Sequence, residues 1–133
     1  MTIRNMPPPL ERDIQKAVVD FIGYACPHLY CFAVPNSAVR GKGKRAGNAV
    51  AGLRAGVADL VILARPGRVF MMEVKRPGRY GRVSDDQAKH AKEMELRQID
   101  YVIVTSLEEA IKALQQWGLI QRSNVNLWEP KND

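Results

Sequence analysis

Cysteine, histidine and tryptophan are scarce, with two of each in 133 residues, and each scarcity closes off a class of protein. Two thiols cannot build a disulfide framework, so reduced intracellular cysteines are expected. Cys26 and Cys31 flank His28 in CPHLYC, but a closed zinc site takes four ligands, and His90 is the other histidine. Cys31 also lies in an apolar, strand-like run, where cysteine behaves as a small hydrophobe. Long apolar stretches are missing too. Leu60–Ala64 falls far short of the ~20 residues of a membrane helix, and the N-terminus has no apolar leader. A cytoplasmic location without membrane contact is expected. Neither Trp117 nor Trp128 lies among the central basic residues, so base stacking on tryptophan is not indicated.

What is present is an ordinary globular balance, 46% apolar and 26% charged. The length suits a single domain over 1–133, with a core at about 10–118, an N-terminal arm at 1–9 and a C-terminal arm or tail at 119–133. Twenty basic residues against fourteen acidic ones leave a net charge of +6. The charge is not spread evenly. Residues 35–84 hold eleven bases and only two acids, Asp59 and Glu73, a local charge of +9 on a body of −3. Such a band attracts polyanions, since phosphate neutralisation dominates nucleic-acid affinity. A merely solvated basic face is the plain alternative.

Leu10, Ile14, Ala17, Val18, Phe21 and Ile22 recur at helical spacing, predicting a helix over about 10–25 that ends before Pro27. His28–Val34 reads as a strand. Residues 37–56 read as a glycine-rich basic loop, in which GKGKRAGN lacks the Lys-Ser/Thr pair of a phosphate-binding P-loop. Ala58–Ala64 and Val69–Lys75 read as strands around Pro66-Gly67. Arg76–Val83 is a second basic loop. Ser84 with Gln87 is a capping-box pattern opening a helix to about Gln98, and Ser106 with Glu109 is another, opening a helix stopped by Gly118. Between them Tyr101–Thr105 reads as a buried-type strand. The resulting order is α-β-β-β-α-β-α.

Three acids stand where packing alone would not put them. With Leu10 at zero, a turn of about 100° per residue places Ile22 near 120° and Glu11 near 100°, on the apolar face with Gln15 at its edge. Asp59 opens an apolar strand, and Glu73 and Lys75 alternate onto one face at the end of the next. A two-residue Pro66-Gly67 turn would make paired residue numbers sum to an odd value and oppose Asp59 to Val74. Convergence of Asp59 with Glu73 needs an even sum such as 132, hence an odd loop or a bulge that Gly67 would supply. Two carboxylates side by side call for a cation between them, and oxygen ligands suit Mg²⁺ or Mn²⁺. A lysine on the same face would hold the attacking water. The plain alternatives are a first-turn role for Glu11 and a Glu73–Lys75 surface pair on an edge strand.

Asp59 followed thirteen residues later by Glu73-Val74-Lys75 resembles the signature of the PD-(D/E)XK nuclease superfamily, with Ala58 in place of the proline. The chain resembles more closely the virus-type replication-repair nuclease (VRR-NUC) domain. That resemblance runs through Glu11 and Gln15, Val34-Pro35-Asn36, Gly56-Val57-Ala58-Asp59-Leu60, Met72-Glu73-Val74-Lys75, Ser84-x-x-Gln87 and Tyr101-Val102-Ile103-Val104. It implies an α/β, restriction-endonuclease-like αβββαβ core with a mixed central sheet flanked by helices. It also implies divalent-metal-dependent hydrolysis of phosphodiester bonds in DNA, with Mg²⁺ or Mn²⁺ held by Asp59, Glu73, Glu11 and the Val74 carbonyl, and catalysis by these acids with Lys75 and Gln87. Relatives that carry a tyrosine four residues after that glutamine differ here, where Ala91 stands.

Asn36, Arg40, Lys42, Lys44, Arg45, Arg54, Arg76, Arg79 and Arg82 are the expected nucleic-acid contacts. Stand-alone relatives resemble Holliday-junction resolving enzymes and are common in phages, so the resemblance implies a homodimer on branched duplex DNA in a bacterial or phage-infected cell, with no small-molecule cofactor. The competing readings are a catalytically idle nucleic-acid-binding module and an RNA-directed or nonspecific nuclease on the same fold. His28 and His90 are expected to lie away from the Glu73–Lys75 pair.

Overall fold

The apolar spacing of Ile14, Val18, Phe21 and Ile22 winds Glu11–Ala25 into the first helix, α1, with those four residues and Ala25 buried. The structure, a computed structural model, describes residues 6–35 and 51–120. After α1 come β1 (Tyr30–Ala33), β2 (Leu60–Ala64), β3 (Arg68–Val74), a 3-10 turn at Gly78–Tyr80, α2 (Asp85–Leu96), β4 (Asp100–Val104) and α3 (Leu107–Gln116). The strands lie in the order β1-β2-β3-β4 as a mixed sheet with flanking helices, the α/β, restriction-endonuclease-like class that the sequence implies. β1–β2 and β2–β3 are antiparallel. Among the described residues no helix is long and apolar enough to cross a membrane.

The chain divides into two compact units. One comprises Met1–Leu29, Val74–Arg82 and Ile103–Asp133, the other Tyr30–Glu73 and Val83–Val102. In the first, α1 and α3 pack on each other, and Val18, Phe21, Val74, Val104 and Leu114 are fully shielded. At roughly 1.5–3 kcal/mol for each large apolar side chain buried, these residues dominate the favourable side of that unit's stability. In the second unit, strand alternation buries Leu60, Ile62 and Ala64 of β2 while Val61 and Leu63 are half-buried, and Phe70 and Met72 of β3 are shielded as well.

Three local expectations need correction. Leu10 is not part of the buried stripe. It occupies the N-cap of α1 and is 40% exposed, and the helix start has no side-chain cap. β4 is not a buried strand either. It lies at one end of the strand order, so only Val104 is fully buried and the apolar residues before it are half-exposed. The second capping box forms only in part. Ser106 accepts from the Glu109 N–H as expected, but the Glu109 carboxylate reaches one residue further back and accepts from Thr105 N–H and Oγ1 at 2.6 and 3.0 Å. The Thr105 hydroxyl adds a second donor that Ser106's backbone cannot offer.

The β2–β3 register decides the site. Leu60 pairs with Met72, Val61 with Met71 and Ala64 with Arg68, so every pair sums to 132 and Arg65-Pro66-Gly67 is a three-residue loop. Gly67 closes it with φ +60°, a conformation that costs other L-residues about 1–2 kcal/mol.

Candidate functional site

The rung beyond Leu60–Met72 sets Asp59 opposite Glu73. Asp59 stands just before β2, where its carbonyl accepts from the Val34 N–H at 2.8 Å and carries the β1–β2 ladder one residue further. Its side chain is half-buried, whereas Glu73 is 2% exposed. β3 lies between β2 and β4 in the sheet, so a surface ion pair on an edge strand does not describe Glu73 and Lys75. Lys75 is itself 7% exposed, and its N–H donates to the Val104 carbonyl at 2.9 Å. A buried acid costs several kcal/mol unless something compensates its charge, and evolution keeps such residues chiefly where function needs them.

Gln87 meets Glu73. Its Oε1 accepts from the Ser84 N–H at 2.9 Å while Ser84 Oγ accepts from the Gln87 N–H at 3.1 Å, a complete capping box. Its Nε2 is left to donate to Glu73 Oε2 over a long 3.4 Å. Among the twelve residues of α2 Gln87 alone is fully buried, an inversion of what an amphipathic helix does with its apolar side chains. Gly56 sets the distance. Its φ is +81°, and a Cβ there would overlap the Asp86 carbonyl and the Gln87 nitrogen. The chain entering Asp59 therefore runs directly against the start of α2, and only glycine fits.

Two residues that sequence reasoning left aside belong to this neighbourhood. Burial, followed by the negative charges of Glu73 and Asp59, pushes the Tyr101 phenol up to about 12. One hydroxyl on β4 thus senses both carboxylates. His90 lies one turn after Gln87 on α2 and packs edge-on against the Tyr101 ring, with centroids 5.7 Å apart. Burial lowers the His90 pKa. His90 thus touches the Tyr101 ring rather than the acids, and burial, not the charge of either carboxylate, accounts for its shift. His28 is exposed.

The remaining candidates divide clearly. Glu11 lies half-buried in the first turn of α1, with Gln15 half-buried one turn on. Asn36, Arg40, Lys42, Lys44 and Arg45 lie outside the described residues. Arg54 is exposed and lines an open groove of about 820 Å³ beside α2, together with Lys89, His90 and Lys92. Those two lysines carry the same phosphate-attracting charge and were missed because they lie beyond the basic band. Arg76 is tied inward: Nη2 and Nε donate to the Pro8 and Pro9 carbonyls at 2.9 and 3.2 Å, and its guanidinium lies 4.4 Å over the Tyr80 ring. Arg79 also donates to the Tyr80 hydroxyl, while Arg82 is exposed. The Cys26 and Cys31 thiols are free and are pushed up to about 11 by burial, so they stay protonated at neutral pH.

The donors that Asp59 and Glu73 offer are hard oxygens, which suit Mg²⁺ or Mn²⁺ rather than a thiol-loving metal. Among the described residues no group of three or more His, Cys, Asp and Glu has metal-holding spacing. A pair of carboxylates is nonetheless what Mg²⁺ ordinarily takes from a protein, with waters and substrate oxygens completing its shell.

No protein-family model and no curated protein matches the chain. The solved structure of a VRR_NUC domain protein is similar in fold, with a TM-score of 0.63 and 18% sequence identity over 87% of this chain and 94% of that one.

Proposed function

We propose that this chain is a nuclease of the VRR-NUC kind, a single domain that hydrolyses phosphodiester bonds in DNA with Mg²⁺ or Mn²⁺. The observation that carries the reading is the even β2–β3 register, which brings Asp59 to Glu73 in a strand pair that would otherwise turn one of them away. Asp59 and Glu73 would hold the cation, with the Val74 carbonyl as a further oxygen. Bound there, the cation would lower the pKa of a water and polarise the scissile phosphate. Gln87 orients the Glu73 carboxylate through its Nε2 donor. Lys75, two residues on and just past the end of β3, would offer its ammonium to the attacking water and to charge developing on the phosphorane. Glu11 joins the catalytic set on the strength of the resemblance, and Glu11→Gln tests that assignment separately.

Arg54, Arg79 and Arg82, with the basic loop at 40–45, would hold the phosphate backbone without reading bases. Branched duplex such as a Holliday junction is the proposed substrate. It calls for a homodimer presenting two active sites at fixed separation, working in the cytoplasm of a bacterial or phage-infected cell. An idle binding module accounts less well for the same residues, since a protein that only grips phosphate gains nothing from a buried acid beside it.

The test incubates the full chain with four-way junction, flap, linear duplex and single-stranded RNA, each with Mg²⁺, Mn²⁺ or EDTA. Junction cutting that needs the cation is expected. Binding without cutting in either cation would replace the enzyme with the binding module, and preferential RNA cutting would replace the substrate.

A further inference from the structure

Tyr101 presents an anomaly that the proposed reaction leaves unexplained. Its hydroxyl oxygen is buried, yet among the described residues it has no hydrogen-bond partner, and the same holds for Nε2 of its ring neighbour His90. Leaving a buried hydroxyl unsatisfied costs about 1–3 kcal/mol, and phenylalanine would fill the same space without that cost. Native structures retain such a group where water, an ion or chemistry satisfies it. The location narrows the choice, because the hydroxyl stands where the charges of Glu73 and Asp59 both reach it. The ring is also held from behind. His90 packs on it from α2, the helix whose Gln87 grips Glu73.

We infer that Tyr101 is a positioning residue, whose hydroxyl hydrogen-bonds a water in the shell of the divalent cation held by Asp59 and Glu73. A phenolic hydroxyl both donates and accepts. Its oxygen would accept a hydrogen bond from, or its O–H donate one to, such a water, which would tie that water to β4. A cation taking only two protein carboxylates keeps several waters, and each needs such a partner to be fixed in place. Outer-shell partners of this kind commonly set metal affinity by 10–100-fold. The inference rests on the proposed cation site.

The experiment titrates Mn²⁺, without nucleic acid, into the full-length wild type, Tyr101→Phe and Asp59→Asn, following free Mn²⁺ by electron paramagnetic resonance. It also records the thermal midpoint of each cation-free protein. Tyr101→Phe is expected to bind Mn²⁺ about tenfold more weakly, with a cation-free midpoint equal to or above wild type. Asp59→Asn is expected to abolish binding. Wild-type affinity in Tyr101→Phe would overturn the inference alone, as would a lowered midpoint with unchanged affinity, the mark of a purely structural tyrosine. A wild type that binds no Mn²⁺ would overturn the cation site and this inference with it.

Discussion

Asp59 stands opposite Glu73 one step beyond the Leu60–Met72 rung, because Arg65-Pro66-Gly67 spends three residues on a turn that Pro66-Gly67 would make in two. Side chains alternate across a strand, so a turn shorter by one residue would oppose Asp59 to Val74 and point the two carboxylates to opposite faces. The pairing of two like charges is thus fixed by backbone geometry rather than by their own affinity, as a site built for a cation requires.

Gly56 is a tight backbone approach beside that pair, and Gly56→Ala is expected to damage both fold and site. The added methyl meets the backbone of Asp86 and Gln87, which cannot swing aside as a side chain would, and φ +81° adds strain of its own. A loss of about 3 kcal/mol or more is expected from combined strain and overpacking, read as a lower urea midpoint.

Gln87 has two tasks that separate by mutation. Ser84→Ala removes the cap at a cost of about 1 kcal/mol. Gln87→Ala removes its half of the cap together with the donor to Glu73, and about 2 kcal/mol is expected because a buried carboxylate loses a partner. Equal losses in equilibrium unfolding would show that the 3.4 Å contact contributes nothing.

Arg76 and Arg82 are neighbours in sequence with opposite expected behaviour. Arg76→Ala deletes two bonds to the Pro8 and Pro9 carbonyls and the stack on Tyr80, so a stability loss of about 2 kcal/mol is expected with little change in the salt dependence of DNA binding. Arg82→Ala is expected to leave stability within about 0.5 kcal/mol and to reduce the slope of log K against log salt by about 1. Binding isotherms at several salt concentrations, beside urea curves, distinguish the two.

Alkaline pH should unfold the protein through its thiols. Cys26 and Cys31 keep their protons up to about pH 11 when folded, against 9.0 ordinarily. Between those values the folded state binds more protons than the unfolded state, so stability is complete below pH 9 and falls as pH rises toward 11. The Tyr101 phenol, ordinarily near 10.0 and raised to about 12, extends the decline. The urea midpoint is expected to drop across this window and to drop less in a Cys26→Ala, Cys31→Ala variant. An equal drop in both proteins would assign the effect elsewhere.

The sequence carried the elements, because apolar periodicity and caps are local: α1, the β2–β3 hairpin, the Ser84 capping box and the Gly118 stop all lie where their residues place them. Parity arithmetic also framed the Asp59–Glu73 question correctly, although the loop length that answers it depends on how Gly67 turns. Long-range relations were illegible. YVIVT reads as five strand formers, and nothing in it says that β4 would stand at the end of the sheet or that Tyr101 would sense two acids. Arg76 looked like one more phosphate contact, since its carbonyl partners lie 67 and 68 residues away in a proline run with no charge to advertise them.

The central claim is that Asp59 and Glu73 hold the cation that cuts DNA. Its most direct test is the single-turnover cleavage rate of a labelled four-way junction in Mg²⁺ by wild type, Asp59→Asn and Glu73→Gln, each verified as folded by circular dichroism. Since a carboxamide is a much poorer ligand than a carboxylate for a hard cation, either substitution is expected to slow cutting by roughly 100-fold or more while junction binding persists. Cutting at the wild-type rate by folded Asp59→Asn and Glu73→Gln would contradict the account.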